Sequence, residues 1–473
     1  MDYRTLAKNA GTAFLAQGVA MVLSFIQTLL VPKLLGVTEY GYWQLFIFYC
    51  SYVGFAHLGL NDGVYLIKGG ESRAEINKAS VMSQFWFGVV FQLIISIAIT
   101  TVVLQGFAIQ ERNYVIIFTC AYLVIHNASL FLMYLLQSMN ETQKSSYATI
   151  VERLTFLVPL LIFLIIRCNS FRPFVVAYLF SSVVQLGYCL WCCRDFLQTK
   201  LEPIPTAVRD AISSIRVGFK LMIANIASQL ILGIARFSID LAWGIDAFGR
   251  LSLALSMVNF FLAFVSQASM VLFPALRQSD DGELRQFFAR SRDFLSLIAP
   301  MFYLGYFPLV WILSIWLPDY ASSYIYFLLL LPVCVFDSKM NICCTTFFKV
   351  LRQESRLLEI NLWTCFISAF FTILGVFIFK STVVVIGGAA LSIIGRSLWS
   401  EKQLSSVLKK PMIRSLNYGE LLLTALFIVL ALVLPSLLAF CIYTAIYSIY
   451  LVNFGKQVDV VLRIKAVLRD IFK

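Results

Sequence analysis

Val217-Gly-Phe-Lys-Leu-Met-Ile-Ala-Asn-Ile-Ala-Ser-Gln-Leu-Ile-Leu-Gly-Ile-Ala-Arg-Phe-Ser-Ile-Asp240 decides the fold. The run is almost wholly apolar and long enough to cross a bilayer as a helix. It nevertheless carries Asn225, Gln229, Arg236 and Asp240. At 100° per residue these four fall within roughly 60° of one another, one narrow polar stripe on an apolar helix. The run leads into Gly244-Ile-Asp-Ala-Phe-Gly249, and 208 residues earlier Gly36-Val-Thr-Glu-Tyr-Gly41 follows the first apolar run in the same way. That offset sets Gln17 over Asn225 and Thr28 over Arg236. An echo at offset 210 pairs Tyr114 with Tyr324, Asn127 with Asp337, Gln143 with Gln353 and Ser145 with Ser355. The chain reads as two related halves.

Composition agrees with that reading. Of 473 residues, 60% are hydrophobic and 13% charged, against about 45–50% and about 25% in soluble domains. An ordinary soluble enzyme, a disordered chain and a nucleic-acid-binding domain are excluded. At about 20 residues per span, fourteen spans account for the hydrophobic fraction. They are expected near 10–35, 42–66, 80–104, 114–137, 147–167, 173–193, 217–243, 248–274, 293–317, 322–348, 358–379, 382–400, 419–434 and 436–454; twelve is the alternative count. The first run is too long for a signal-peptide core and is expected to remain as a span.

The net charge of +12 sits mostly in short loops. With the N-terminus inside, the inner segments hold 28 Lys and Arg and the outer ones 6. This is the positive-inside pattern, and it places both termini in the cytoplasm. No loop exceeds roughly 25 residues, the size of a linker and far below that of a domain. No G-x-x-x-x-G-K-[ST] phosphate loop is present, which argues against ATP-driven pumping by this chain alone. Pro203 and Pro205 mark a hinge linker followed by a short interfacial helix. The tail from Lys456 reads as a basic amphipathic helix for anionic lipid, with a solvated tail helix as the plainer account. The eleven cysteines, mostly inside apolar runs, read as small membrane-compatible residues, and the CxxC at Cys189 and Cys192 lacks companions for a metal site. No cofactor, metal or nucleic-acid partner is expected.

The expected fold is therefore an all-α polytopic membrane protein of about fourteen helices. Two parallel six-helix repeats form lobes around a central cavity, with a two-helix C-terminal appendix. The expected boundaries are 1–196 for the first lobe, 197–216 for a cytoplasmic linker, 217–405 for the second lobe and 406–473 for the appendix and tail. Ionisable groups inside spans are costly and face protein or water: Glu152, Arg153, Asp337, Lys339 and Arg396 toward the inner side, Arg236 and Asp240 toward the outer. Plainer accounts stand beside them. Arg236 and Asp240 have ion-pair spacing, and Arg396 is near enough to an edge to serve topology alone. Span eight adds a polar side at Ser252, Ser256, Asn259 and Ser266. His57 and His126, both near the midplane, read first as hydrogen-bonded helix contacts and second as proton sites. Pro159, Pro300, Pro308 and Pro332 permit kinks. Gly59-Leu-Asn-Asp-Gly63 permits close helix approach.

Leu34-Leu-Gly-Val-Thr-Glu-Tyr-Gly-Tyr-Trp43, Leu58-Gly-Leu-Asn-Asp-Gly63 and the 217–240 run resemble the polysaccharide-exporter branch of the multidrug/oligosaccharidyl-lipid/polysaccharide exporter superfamily. The resemblance covers essentially the whole chain in span count, repeat and termini; many members have twelve spans, from which fourteen departs. It implies a flippase in the bacterial inner membrane for undecaprenyl-pyrophosphate-linked oligosaccharide repeat units, serving O-antigen, capsule or exopolysaccharide synthesis alongside the polymerase machinery and membrane lipids. Such cargo calls for cations toward the phosphates, for which Arg153, Arg236, Lys339 and Arg396 are the candidates. Asn225, Gln229 and Asn259 are candidates for the sugar, and Asp337, Asp62 and His57 for ion coupling. Two other functions are kept open. A multidrug antiporter of the same superfamily would favour acidic groups over the Arg and Lys seen here. A membrane glycosyltransferase, a polymerase or ligase, would favour a large outer loop.

Overall fold

The computed structural model describes residues 3–106, 109–278, 281–409 and 414–458. Among them every regular element is helical and none is a strand, as suits a chain whose backbone must satisfy itself in lipid. The helices in order are α1 Tyr3–Cys50, α2 Leu60–Ile67, α3 Lys78–Gly106, α4 Gln110–Ser138, α5 Thr142–Ile165, α6 Arg172–Cys192, α7 Arg194–Leu197, α8 Ile204–Gln278, α9 Asp281–Ile298, α10 Tyr306–Trp316, α11 Ser323–Lys339, α12 Thr346–Val350, α13 Glu354–Ile373, α14 Thr382–Val407, α15 Arg414–Val433 and α16 Ser436–Val458. Two compact units arise, Met1–Ile226 and Ala227–Lys473. The division falls inside α8, because the chain is already helical from Ile204 and its first turns pack on the first unit.

Among the described residues, twelve helical stretches are long and apolar enough to cross a membrane. Two of them, Met21–His57 and Ile204–Ala263, contain a sharp break. The breaks lie at Gly36 (φ 67°, ψ 179°) and Gly244 (φ 80°, ψ −176°), the first glycines of the repeated motif. Both occupy nearly the same backbone conformation, one that is essentially reserved for glycine. Cutting both helices there gives fourteen segments; leaving them whole gives twelve. The expected count of fourteen thus turns on whether each broken helix crosses twice.

In the first unit, Trp43, Phe46, Phe156, Phe174, Tyr122 and Tyr178 stack around the α1–α4–α5–α6 contact, with centroids 5.3 to 6.2 Å apart. The second unit has its counterpart in Tyr303, Tyr306, Phe307, Phe427 and Tyr443. Other faces stay apolar and exposed, such as Ile94, Ile97, Val102 and Leu104 on α3 and Phe366 and Phe370 on α13. Exposed apolar faces of this extent are what lipid covers.

α2 meets α8 with almost no side chain between them. A Cβ on Gly63 would stand 1.9 Å from the Ser214 carbonyl oxygen, and one on Gly218 would stand 2.0 Å from the Gly59 carbonyl oxygen. The Gly-x-x-x-Gly spacing therefore gives the close approach the sequence suggests, to a partner the sequence does not identify. α5 and α11 carry Pro159 and Pro332 inside them. α9 stops at Ile298, short of Pro300, and continues as a 3₁₀ segment, Ala299–Gly305. The expected amphipathic tail lies outside the described residues, apart from the end of α16 at Val458.

Candidate functional site

The second span, expected as one helix over 42–66, is broken. α1 ends at Cys50; a 3₁₀ turn, Val53–His57, follows; then Leu58 and Gly59 adopt left-handed conformations (φ 52° and 89°) before α2 begins. Breaking a helix at membrane depth strands backbone groups, and polar side chains must replace the lost bonds. They do so here. The Gly59 N–H donates to His57 Nδ1 at 3.0 Å. Asn127 Nδ2 on α4 donates to the Val53 carbonyl at 2.9 Å. Asn61 Nδ2 donates to the Asn127 carbonyl at 3.1 Å. His57, Asn61, Asp62 and Asn127 are all buried, and Asp62 Oδ2 lies 3.8 Å from His57 Nε2.

Beside this break, Glu152 on α5 is buried and accepts from Ser182 Oγ (3.5 Å) and Gln185 Nε2 (3.3 Å) on α6. Its neighbour Arg153 is half-buried and interacts with Tyr178, Glu152 and Tyr122. His126 Nδ1 is 3.0 Å from the Tyr122 hydroxyl, so the histidine is a hydrogen-bonded helix contact.

In the second unit, the sequence-predicted cations are divided. Lys339 is 1% exposed, with Nζ 2.7 Å from Glu420 Oε2 on α15 and 3.2 Å from Glu401 Oε2 on α14. Glu401 also lies 3.7 Å from buried Arg292 on α9, and Arg292 pairs with Asp293 at 2.8 Å. Arg396 pairs with Asp337, donates to Ser228 Oγ at 3.0 Å and reaches Asn361 Oδ1 at 3.5 Å. Both Lys339 and Arg396 thus hold carboxylates in this conformation, and Asp337 is salt-bridged. Arg236 donates to Ser252 Oγ (2.9 Å) and lies over the Phe248 ring at 4.8 Å. Asn225, Gln229 and Asn259 are exposed. An exposed amide is open to water or a polar ligand.

Sequence reasoning missed Glu401 and Glu420. Glu420 sits within the expected span 419–434, so its cost there was a usable signal; Glu401 lies one residue beyond span twelve. It also missed the polar cluster at the loop end of the first unit. There Arg73 donates to both Glu141 oxygens (2.8 and 2.7 Å) and to Asp195 at 2.6 Å, while Lys78 binds Asp195 at 2.7 Å. Hydrogen bonding to Glu141 raises the Arg73 guanidinium above its ordinary value. Burial opposes ionisation of Glu141 and Asp195, but bonds from Arg73 and Lys144 to Glu141, and from Lys78 and Arg73 to Asp195, outweigh it, so both carboxyls are lowered. Among the described residues, no group of three or more His, Cys, Asp or Glu is placed to hold a metal ion.

A family model described as polysaccharide biosynthesis protein matches residues 6–280. No curated protein matches the chain by sequence. Among solved structures, the lipid II flippase MurJ in an inward closed conformation is similar at a TM-score of 0.69 and 9% identity, over 96% of this chain and 100% of that one. An inward-facing multidrug resistance MATE family transporter of the MOP superfamily is similar at 0.57 and 13%, over 85% and 96%. At such identities the likeness is one of fold.

Proposed function

The chain belongs to the polysaccharide biosynthesis protein family, and from that premise we propose that it flips undecaprenyl-pyrophosphate-linked oligosaccharide repeat units across the bacterial inner membrane. The product serves O-antigen, capsule or exopolysaccharide synthesis, with the polymerase machinery downstream and both termini in the cytoplasm. One observation carries the reading. The family match spans residues 6–280 of a multi-pass membrane protein whose described helices are joined by short loops, so its part in polysaccharide synthesis is moving material through the membrane.

The cargo joins a charged pyrophosphate, a hydrophilic sugar and a long lipid tail. Lipid solvates the tail; the protein must solvate the rest. Arg153 and Arg236 are cations for the pyrophosphate, with Tyr178 and Tyr122 among the neighbours of the first and Ser252 beside the second. Lys339 and Arg396 take part by exchanging carboxylate for phosphate. The exposed amides Asn225, Gln229 and Asn259 meet the sugar. Alternating access moves the cargo.

Multidrug antiport fits the same fold, and one experiment separates the readings. In a strain lacking this gene but retaining the assembly enzymes, lipid-linked repeat units are expected to accumulate on the cytoplasmic face, relieved when the gene is restored. Single units accumulating on the outer face would overturn the proposal in favour of a later polymerising or transfer step. Unaltered repeat units with lost drug resistance would favour antiport.

A further inference from the structure

Asp62 is 6% exposed at the start of α2, one residue after buried Asn61. Among the described residues the only basic side chain with a nitrogen within 4 Å of the Asp62 carboxylate is His57. At 3.8 Å its Nε2 is beyond hydrogen-bond length from the carboxylate. His57 is also fixed as a neutral ring. Its Nδ1 accepts the Gly59 N–H at 3.0 Å, so that nitrogen carries no proton, and the ring's one proton is on Nε2, facing Asp62. An imidazolium would have to break the Gly59 bond, and Gly59 is held against α8, where a Cβ would stand 2.6 Å from the Phe219 nitrogen.

Among the described residues no other cation pairs with Asp62. On α4, Tyr134 interacts with Asp62, while His126 interacts with His57 and with Arg153 of α5. Arg153 is engaged by Tyr178, Glu152 and Tyr122. On α2 itself the near titratable group is Tyr65, which pairs with Tyr134 at a centroid distance of 5.5 Å. From α8, Arg216 and Lys220 are exposed and Arg209 and Asp210 pair with each other; α3 offers uncharged Ser80, Ser83 and Gln84 on its packed face. A buried carboxylate without a cationic partner takes up a proton or an ion. The backbone oxygens at the break are largely committed. The Val53, Phe55 and Gly59 carbonyls each accept a hydrogen bond already, and Asn127 Oδ1 is a buried side-chain oxygen without a hydrogen-bond partner. A proton needs only the carboxyl oxygen itself, whereas an alkali cation needs a shell of several oxygens.

We propose that the break in the second span is a proton-binding site, with Asp62 as the proton acceptor and His57 as its positioning residue. Binding forms one O–H bond on the Asp62 carboxyl and removes one negative charge from a buried place. His57 keeps its Nε2 proton and its bond from Gly59 throughout. The proton enters from water and leaves to water, and its binding changes the charge at the junction of α1, α2 and α4. A discontinuous membrane helix with a proton site at its break is suited to coupling a gradient to movement. The use made of the proton rests on the transport reading; the site does not.

The test is infrared difference spectroscopy on the full-length protein in liposomes across the pH range in which it stays folded. We expect a protonated-carboxyl C=O band that titrates, disappears in Asp62→Asn, shifts its midpoint in His57→Gln and is indifferent to replacing choline by Na⁺. A readout independent of substitution is carbodiimide modification of wild-type protein, which takes place at protonated buried carboxyls. An Asp62 adduct, found by peptide mass spectrometry and increasing as pH falls, supports the site. Absence of both band and adduct, or a band abolished by Na⁺, overturns it. Neither readout uses a lipid-linked sugar, so the site and the flippase reading stand or fall separately.

Discussion

Replacing Lys339 by methionine tests how the second unit is held together. The ammonium is 1% exposed and touches Glu420 at 2.7 Å and Glu401 at 3.2 Å, both carboxylates being 1% exposed or less. At an effective dielectric of about 20, these contacts amount to roughly 6 and 5 kcal/mol of gross attraction. Desolvating three charges costs several kcal/mol each, so the intact cluster contributes little net stability. Removing the lysine alone cancels the attraction and leaves the carboxylates buried, a loss of about 3–5 kcal/mol. That is a large share of a typical folding free energy of about 5–15 kcal/mol. The control is Lys339→Met with Glu420→Gln. It leaves Glu401 near Arg292 at 3.7 Å and accepting from Asn417 at 3.3 Å, and it is expected to recover more than half the loss. The assay is thermal denaturation in detergent followed by size exclusion. A single variant as stable as the parent, or a double variant no better than the single, would refute the reasoning.

Other expectations follow from particular contacts. Gly63→Ala is expected to abolish folded protein in membranes, since its Cβ would stand 1.9 Å from the Ser214 oxygen, whereas Gly36→Ala, with nothing within 4 Å, is expected to lose only the backbone cost of about 1–3 kcal/mol; thermal stability and expression level check both. Glu141 and Asp195 have lowered values, so their contribution is present above the ordinary carboxylate range of about 4 and is lost as pH falls through and below it. The destabilisation by Arg73→Ala, about 1 kcal/mol for each of these partly exposed pairs, should therefore be measurable by denaturation at neutral pH and shrink under acid. Arg153→Gln and Arg236→Gln are each expected to slow flipping roughly 10- to 100-fold, the equivalent of one charge-assisted hydrogen bond of about 1.5–3 kcal/mol, without loss of folded protein on size exclusion.

What the sequence disclosed, and what it withheld, follows the reach of the interactions. Apolar runs dictate helices locally, because lipid leaves the backbone no alternative. The Gly36 and Gly244 motifs could be paired from their spacing, and the two glycines share one backbone conformation. The break at Ser51–Gly59 was not legible, since no proline marks it and the bonds that stabilise it come from Asn127, 74 residues from Val53. Lys339 stood out as a cation inside a span, but its partners lie on other helices, Glu420 being 81 residues away. Local pattern can show that a buried charge needs an answer; it cannot show which distant side chain supplies it.

The central claim, translocation of a lipid-linked oligosaccharide, is tested most directly by reconstitution. Full-length protein is placed in liposomes carrying an undecaprenyl-pyrophosphate-linked oligosaccharide on the inner leaflet, and its arrival outside is followed with a sugar-cleaving enzyme that cannot cross. The account predicts arrival far faster than in protein-free liposomes and slowed by Arg153→Gln with Arg236→Gln. Arrival no faster than in protein-free liposomes, with the same preparation exporting a cationic dye against a pH gradient, would contradict it.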